Sequence, residues 1–249
     1  MWDFSNPKFC KSILDIAQAY GPYEFWTDNL ILGCNPDATW RALMVVAALK
    51  DPLYAESVRL MMAHPDSRVK AWACTAIAEL KYRPGFGQLQ ALTVDRSSRV
   101  RFHARQAVRE MRGLPPVARP FHHRGFIDNI IILLSEDDPS QSQAINFGLS
   151  RLNYLIQTAA TEADTVAMAF KLQPKVIITD NLKGKDCLSG LNITWDLCRR
   201  AELRDTLFFM VTADNVEPIF IWSGGDEYFQ KPIDANMLDR KLKLYLTPG

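Results

Sequence analysis

Apolar and polar positions follow two different patterns in the two halves of this chain. Up to about residue 112, apolar residues recur at i, i+3, i+4 and i+7, the spacing of amphipathic helices. From about residue 126, short apolar runs alternate with segments of helical spacing. The pattern predicts an all-α domain at 1–112 and an α/β domain at 126–249, joined by a linker at 113–125 that holds three prolines and two glycines.

An internal repeat dominates the helical half. Arg68-Val69-Lys70 aligns with Arg99-Val100-Arg101 at an offset of 31 residues, and a weaker copy at Trp40-Arg41 aligns at an offset of 29. Repeats of this length with helical spacing are typical of antiparallel helix pairs stacked in a solenoid. We expect Pro7–Tyr20 to form a capping helix. The polar turns that precede the second helix of each pair are predicted to cap it, at Asn35-Pro36-Asp37, His64 to Ser67 and Asp95 to Ser98.

Two of these segments resemble the second helix of HEAT repeats, which opens with Asp, a short gap and Val-Arg before an alanine-rich apolar face. They are Asp66 to Lys70 and Ser97 to Arg101, and the resemblance covers about residues 22–112. It implies a HEAT-like solenoid that binds proteins. We interpret Arg41, Lys70 and Arg101 as a ladder of charges that braces adjacent turns rather than as ligand-binding residues.

Five short strands alternating with five helices are predicted in the second half. This alternation predicts a parallel sheet covered on both faces, with strand order 2-1-3-4-5. The predicted strands are 129–135, 155–158, 176–179, 207–211 and 227–230, and the predicted helices are 139–153, 162–171, 191–202, 216–222 and 235–246.

Composition places the chain among soluble proteins and narrows its compartment. Of its 249 residues, 48% are hydrophobic, which is enough to build a sizeable core. We expect no membrane span and no signal peptide, and hence a cytoplasmic location. The cysteine count is five, and no pair has metal-ligand or C-x-x-C spacing, so these residues are interpreted as buried or incidental thiols.

The net charge of +1 conceals an asymmetry between the halves. Residues 1–125 hold 17 basic and 11 acidic residues, whereas residues 126–249 hold 12 basic and 17 acidic residues. Eight arginines lie between Arg96 and Arg124. For this basic stretch we favour docking of the helical domain on the acidic domain of the same chain, then a protein partner. DNA is the least expected partner, because no helix-turn-helix element follows the last helix and no aromatic residues interleave with the arginines.

Acidic side chains end two of the predicted strands. Glu136 and Asp137 follow the first strand, and Asp180 follows the third; Thr212 and Lys231 follow the fourth and fifth. The carboxyl ends of parallel strands meet at one edge of a sheet, where open α/β proteins carry out their chemistry. Clustered carboxylates repel one another unless a cation neutralises them, and hard oxygen ligands suit Mg²⁺. An aspartate in such a site can act as a nucleophile toward a phosphoryl group.

This constellation resembles the receiver (CheY-like) domain of bacterial two-component response regulators, over residues 126–249. The resemblance implies a flavodoxin-like (βα)5 fold and assigns Asp180 in VIITD as phosphoacceptor, Lys231 in FQKPID as the invariant lysine before a cis proline, and Thr212 in MVTA as a switch hydroxyl. It also implies Mg²⁺ held by Glu136, Asp137, Asp180 and the backbone carbonyl of Leu182. The loop after Asp180 departs from the family pattern, since it is two residues longer and lacks a proline.

Two further residues have alternative interpretations. Tyr228 matches the family's aromatic switch position, but a static aromatic packed on the edge of the sheet is nearly as well supported by the sequence. Asp138 is expected to act at the start of a helix rather than as a metal ligand.

The expected function is that of a response regulator phosphorylated on Asp180 by a sensor histidine kinase and signalling through its HEAT-like domain. The alternative is a scaffold that binds partners through both domains without phosphorylation. We expect no enzyme acting on external substrates, although a receiver can catalyse its own phosphotransfer and dephosphorylation. A metal-dependent phosphatase is disfavoured, because the sequence offers no separate general acid or substrate pocket.

Overall fold

The computed structural model describes residues 2–32, 35–115, 130–181 and 190–247, with the backbone alone at residues 31 and 32. These residues divide into two compact units, one helical through residue 115 and one of mixed α/β structure from residue 130. The predicted linker lies outside the described residues from residue 116 onward. Within the described part of the chain, no helix is long and apolar enough to cross a membrane.

The helical unit contains seven α-helices among the described residues. Its first helix spans Pro7–Tyr20, as the sequence predicts, and Asn6 caps it by accepting a hydrogen bond from the N–H of Lys8 at 3.0 Å. Short 3₁₀ turns at Pro52–Tyr54 and Arg83–Gly85 precede α4 and α6. The helices are α1 Pro7–Tyr20, α2 Tyr23–Leu32, α3 Pro36–Leu49, α4 Ala55–Met61, α5 Ser67–Glu79, α6 Phe86–Leu92 and α7 Ser98–Met111.

These helices recur with a period of 31 residues. Helices α3, α5 and α7 begin at Pro36, Ser67 and Ser98, and helices α4 and α6 begin at Ala55 and Phe86. The alignment of the first copy at an offset of 29 is therefore wrong by two residues. The capping residue sets where each helix begins, and the matching Trp-Arg pair that suggested the shorter offset has no such role. The period agrees with repeated helix pairs, whereas a HEAT-like solenoid stays a prediction.

Two of the three predicted helix caps are confirmed. The side chain of Asn35 accepts from the N–H of Asp37 at 3.0 Å, and that of Asp66 accepts from the N–H of Arg68 at 2.8 Å. Ser97 lies at the capping position of α7, but its side chain makes no cap hydrogen bond. Instead, Asp95 Oδ1 accepts from the N–H of Ser97 at 2.8 Å. A carboxylate two residues upstream thus fixes the turn before α7.

Lys70, one of the three residues of the expected charge ladder, forms an ion pair to the next turn. Its Nζ lies 2.6 Å from Asp95 Oδ2. Arg41 donates to the carbonyl of Asp37 and stacks on Trp40, with its guanidinium carbon 4.1 Å from the ring centre. Arg101 donates to the carbonyls of Asp95 and Arg96 at 2.8 and 2.9 Å. Arg41 and Arg101 therefore hold the backbone of their own repeats, and Lys70 contacts the next repeat.

Small residues bring the helices of this unit together. Helix α5 contacts α3 on one side and α7 on the other, and the side chains at this interface include fully buried alanines. Burial of small side chains permits close helix approach without a cavity. The alanines are Ala73, Ala76, Ala104 and Ala107.

The α/β unit holds a five-stranded parallel sheet in the order β2-β1-β3-β4-β5. The predicted strand order is thus confirmed, and it is the order of flavodoxin-like folds. Strands and helices alternate as β1 Ile131–Ser135, α8 Pro139–Ser150, β2 Leu155–Ala159, α9 Glu162–Leu172, β3 Val176–Thr179, α10 Gly190–Leu197, β4 Leu207–Thr212, α11 Glu217–Trp222, β5 Glu227–Gln230 and α12 Ala235–Leu246.

Two predicted helices end earlier than their apolar spacing suggests. The segment predicted as 139–153 ends at Ser150, and Asn153 adopts a left-handed conformation with φ of 68°. The segment predicted as 191–202 ends at Leu197 and is followed by a 3₁₀ turn at Ala201–Leu203. A continued helix would turn Leu203 away from the face that buries Leu197. The break lets Leu203 enter the same core cluster.

Candidate functional site

The end of β1 and the end of β3 place two carboxylates side by side. Strands β1 and β3 are parallel neighbours and are buried on both faces, as their apolar sequences require. Each acid is held one residue beyond its strand by a further backbone hydrogen bond. The N–H of Glu136 donates to the carbonyl of Ala159, and the N–H of Asp180 donates to the carbonyl of Ser135, both at 3.1 Å.

Lys231 joins these two carboxylates. Its Nζ donates to Glu136 Oε2 at 2.9 Å and to Asp180 Oδ2 at 2.8 Å. The N–H of Lys231 also donates to the carbonyl of Thr212 at 2.8 Å, which extends the β4–β5 pairing by one residue. The peptide bond from Lys231 to Pro232 is cis. The ammonium group is thus fixed at the same sheet edge as the acids.

Glu136, Asp137 and Asp180 form a candidate cation site. One carboxylate oxygen from each residue lies within 4.8 Å of those of the other two, although Asp137 is exposed and Glu136 is buried. All three donors are hard oxygens, which matches the preference of Mg²⁺. Asp138 lies beside this cluster as the cap of α8, where its carboxylate accepts from the N–H groups of Ser140 and Gln141. The predicted helix-start role of Asp138 is confirmed.

Burial and the neighbouring charges have opposite effects on the pKa values of Glu136 and Lys231. Burial raises the pKa of the Glu136 carboxyl, and the hydrogen bond from Lys231 opposes this effect only in part. Burial also disfavours the charged form of Lys231, but its hydrogen bonds to Asp180 and Glu136 outweigh this and raise the pKa of Lys231. Lys231 is therefore a firmly held positive charge, whose side chain is 17% exposed.

The two predicted switch residues lie on the neighbouring strands β4 and β5. Thr212 ends β4 and is buried, and its Oγ1 accepts from the N–H of Asp214 at 3.3 Å. Tyr228 on β5 packs its ring against the core of the α/β unit and donates its hydroxyl to the carbonyl of Asp214. Burial raises the pKa of the Tyr228 phenol. Both residues therefore contact the same short loop after β4.

Sequence reasoning did not assign Asn181, which follows β3, or Asp214, in the loop after β4, to the site. The N–H of Asn181 donates to Asp180 Oδ1 at 2.6 Å, and its side-chain amide donates to Asp214 Oδ2 at 2.8 Å. These contacts link the end of β3 to the loop after β4. A polar residue immediately after Asp180 and an acid two residues after Thr212 were the available signals.

Gly190 is a third residue that sequence reasoning did not assign to the site. It begins α10 and packs directly against the end of β3. A Cβ atom built on Gly190 would lie 2.2 Å from the carbonyl oxygen of Asp180 and 2.6 Å from Thr179 Oγ1. No other residue type fits at this position without movement of the strand end or the helix.

Leu182, the expected source of a backbone carbonyl for the metal, lies outside the described residues, as does the rest of the loop through residue 189. The structure thus brings together Glu136, Asp137, Asp180 and Lys231, and it places Thr212 and Tyr228 around Asp214. Arg119 and Arg124 of the arginine stretch also lie outside the described residues.

Comparison with known proteins finds relatives for about half of the chain. It is 29% identical over 122 residues to the transcriptional regulatory protein AfsQ1 of Streptomyces coelicolor, which covers 47% of this chain and 52% of that protein. It is 28% identical over 120 residues to the DNA-binding dual master transcriptional regulator RpaA of Synechocystis, covering 46% of this chain and 48% of that one. The chain spans about half the length of these curated relatives.

Among solved structures, the chemotaxis response regulator CheY4 of Vibrio cholerae is similar with a TM-score of 0.43 and 23% identity, over 47% of this chain and 98% of that one. No family model matches the chain. About half of this chain is therefore similar to two transcriptional regulatory proteins, and its α/β unit has the parallel strand order of flavodoxin-like folds.

Proposed function

We propose that this chain is a response regulator in which Asp180 accepts a phosphoryl group from a phosphohistidine of a sensor kinase. The helical unit then transmits the change to a protein partner. The single observation that carries the proposal is the position of Lys231 Nζ, within 2.9 Å of both Glu136 and Asp180. An ammonium group held between a buried acid and a partly exposed acid is placed to meet the charge of an incoming phosphoryl group.

The residues of the acidic cluster fit a magnesium ion. Glu136, Asp137 and Asp180 would hold it, with the carbonyl of Leu182 as a further expected ligand. When bound, Mg²⁺ would neutralise part of the negative charge on the phosphoryl oxygens. This fit rests on the all-oxygen donor set and on the spacing of the three carboxylates.

The chemistry proposed for this chain's own residues is a simple transfer. A carboxylate oxygen of Asp180 attacks the phosphorus, a new O–P bond forms, and the P–N bond of the phosphohistidine breaks with its electron pair left on the imidazole nitrogen. Lys231 exchanges one carboxylate contact for a phosphoryl oxygen. The Thr212 hydroxyl gives up its contact with the N–H of Asp214 and donates to another phosphoryl oxygen.

The output is proposed to be binding of a protein by the helical unit. Its 31-residue period and its helix pairs support a repeat module of the kind that presents extended binding surfaces. DNA is an alternative target, suggested by the name of the Synechocystis relative. The part of the chain that is similar to that relative covers less than half of it, so protein binding remains our first choice.

The proposal is tested by exposing the protein to Mg²⁺ and beryllofluoride, a phosphoryl mimic, and observing bound fluoride by ¹⁹F NMR. We expect saturable, Mg²⁺-dependent binding by the wild type and none by Asp180→Asn. Asp205→Asn is the matched control, because it makes the same chemical change at an exposed residue before the amino end of β4. Absence of binding by the wild type would contradict the proposal.

A second measurement separates a switch from a scaffold. Partners captured by the full chain are compared with and without beryllofluoride, in parallel with a generic DNA duplex. A phosphorylation-independent scaffold would bind the same partners in wild type, Asp180→Asn and Lys231→Ala. A regulator would change its protein partners on addition of beryllofluoride, and only in those variants that bind it.

A further inference from the structure

Asp214 lies at the centre of a hydrogen-bond network that connects Asp180, Thr212 and Tyr228. Its carboxylate accepts from the Asn181 amide at 2.8 Å, its N–H donates to Thr212 Oγ1 at 3.3 Å, and its carbonyl accepts from the Tyr228 hydroxyl. Asn181 in turn contacts Asp180 through its own N–H at 2.6 Å. One residue thus connects the proposed phosphoacceptor, the switch hydroxyl and the aromatic ring.

Asn181 forms hydrogen bonds to two carboxylates, those of Asp180 and Asp214. Asp180 Oδ1 lies on the backbone side of Asn181, and Asp214 Oδ2 lies on its side-chain side. A phosphoryl group on Asp180 would carry roughly −1.5 to −2 charges in place of the single negative charge of the carboxylate, so the negative charge at this point would increase. Asp214 would then repel the charged site, because like charges separated by a single residue are screened only in part.

Asn181 also carries an unsatisfied atom. Its side-chain oxygen is buried and has no hydrogen-bond partner among the described residues. The amide orientation is fixed, since the carboxylate of Asp214 requires a donor. Among the described residues, the Asn181 side chain thus makes one favourable contact, to Asp214, and leaves its oxygen without a donor, which is unfavourable. Such a contact is easily exchanged when the charge beside it changes.

We propose that Asp214 is a positioning residue for phosphorylation of Asp180. In the unphosphorylated site its carboxylate holds Asn181, and its backbone holds Thr212 and Tyr228. Phosphorylation opposes the Asn181 contact by charge repulsion and draws the Thr212 hydroxyl toward the phosphoryl oxygens. The loop after β4 is then released with Tyr228. This inference rests on the proposed function of Asp180.

The test compares the binding of two probes, Mg²⁺ alone and Mg²⁺ with beryllofluoride, to wild type and Asp214→Asn. Removal of the negative charge should tighten beryllofluoride binding by roughly threefold to tenfold. Mg²⁺ alone should bind no more tightly than to wild type, because the same change removes attraction for a cation. If Asp214 had a role in folding alone, its substitution would not tighten the binding of beryllofluoride without also tightening that of Mg²⁺. The difference in beryllofluoride binding should shrink at high salt.

Asn181→Ala tests the same contact from its other side, in case Asp214→Asn folds poorly. It removes the contact but leaves the carboxylate, so beryllofluoride binding should tighten by a smaller factor. The two effects should add only in part in the double variant, because Asn181→Ala removes a contact that Asp214→Asn has already weakened. Asp205→Asn is again the control and should match wild type.

The outcomes separate this inference from the proposed function. No beryllofluoride binding by wild type would overturn both. Binding by wild type that is unchanged or weakened in both Asp214→Asn and Asn181→Ala would overturn the role of Asp214 alone. Tightened binding in both variants, without tighter binding of Mg²⁺, would support it.

Discussion

Gly190 lies so close to the backbone carbonyl of Asp180 that no side chain fits between them. A Cβ atom on Gly190 would approach the carbonyl oxygen of Asp180 to 2.2 Å, far inside van der Waals distance. The obstacle is backbone rather than a flexible side chain, so the strand end or the helix must move. The first turn of α10 therefore determines where the end of β3 can lie.

Gly190→Ala should accordingly destabilise the α/β unit by about 1–3 kcal/mol, the usual cost of overpacking. It should also weaken Mg²⁺-dependent beryllofluoride binding, since Asp180 would be displaced. Hydrogen exchange of the β3 amides and ¹⁹F NMR measure the two effects. The control is Gly87→Ala in α6, where no described atom beyond the adjacent residues and the helix backbone lies within 4 Å of the added Cβ, and alanine favours the helix by up to about 1 kcal/mol. Equal behaviour of the two variants would refute the steric argument.

Lys231→Met should reduce the stability of the α/β unit when Mg²⁺ is absent. Glu136 is buried, with its side chain 2% exposed, and it would be left beside Asp180 without a counter-charge. We expect a loss of about 2 kcal/mol, less than for a fully buried pair because Lys231 and Asp180 retain some exposure. Added Mg²⁺ should restore more stability to this variant than to wild type, as measured by hydrogen exchange of β1 and β3.

The matched control for that change is Lys241→Met. Lys241 Nζ pairs with Glu227 Oε2 at 2.9 Å, on β5 rather than in the acidic cluster. Its loss removes the same charge, and the response to Mg²⁺ should equal that of wild type. A similar magnesium response in both lysine variants would mean that net charge alone governs the effect.

Asp66→Ala and Ser97→Ala should differ, although both residues stand before the second helix of a pair. Asp66 accepts from the N–H groups of Arg68 and Val69, so its loss should destabilise the start of α5 by about 1 kcal/mol. The Ser97 hydroxyl is buried without a hydrogen-bond partner among the described residues, so Ser97→Ala should be neutral or slightly stabilising. Hydrogen exchange of the first turns of α5 and α7 provides the measurement. Faster exchange in α7 of Ser97→Ala would contradict the difference.

The Tyr154–Asp239 hydrogen bond predicts a loss of stability at high pH. Tyr154 donates its buried hydroxyl to Asp239 Oδ1 at 3.0 Å, and burial together with the Asp239 charge raises the pKa of the phenol well above its ordinary value of 10.0. A pKa that is higher in the folded state than in the unfolded state means that this stabilisation is complete below pH 10 and falls as the pH rises above it.

Tyr154→Phe removes that dependence and should cost about 1–2 kcal/mol at neutral pH. Denaturant unfolding at a series of pH values gives both quantities, and ultraviolet absorbance of phenolate follows ionisation of the tyrosine. Stability curves for wild type and Tyr154→Phe that run parallel above pH 10 would show that Tyr154 is not responsible.

The strand ends could be predicted because each apolar run and the charged residue that follows it are adjacent in the sequence. Glu136, Asp180 and Lys231 each follow such a run directly, and parallel pairing then brings their side chains to one edge. The contact of Gly190 with Asp180 depends on the path of the loop between them. Neither the periodicity nor the composition of the sequence predicts that path.

Other discrepancies have equally specific causes. Alignment of the first repeat on its Trp-Arg pair gives an offset of 29, whereas the capping residues Asn35 and Asp66, which set the helix starts, lie 31 residues apart. The predicted helix 191–202 extends to Glu202, whereas the observed helix ends at Leu197. Burial of Leu203 instead requires a break, which is a property of the packed core rather than of the local sequence.

The contacts that the Asp95 carboxylate makes with two helices affect how the helical unit opens. One oxygen holds Lys70 on the side of α5, and the other holds the N–H of Ser97 at the start of α7. Fraying at the start of α7 would therefore also cost α5 its ion pair. Neighbouring repeats joined in this way are expected to lose their structure cooperatively, as a single unit rather than one helix at a time.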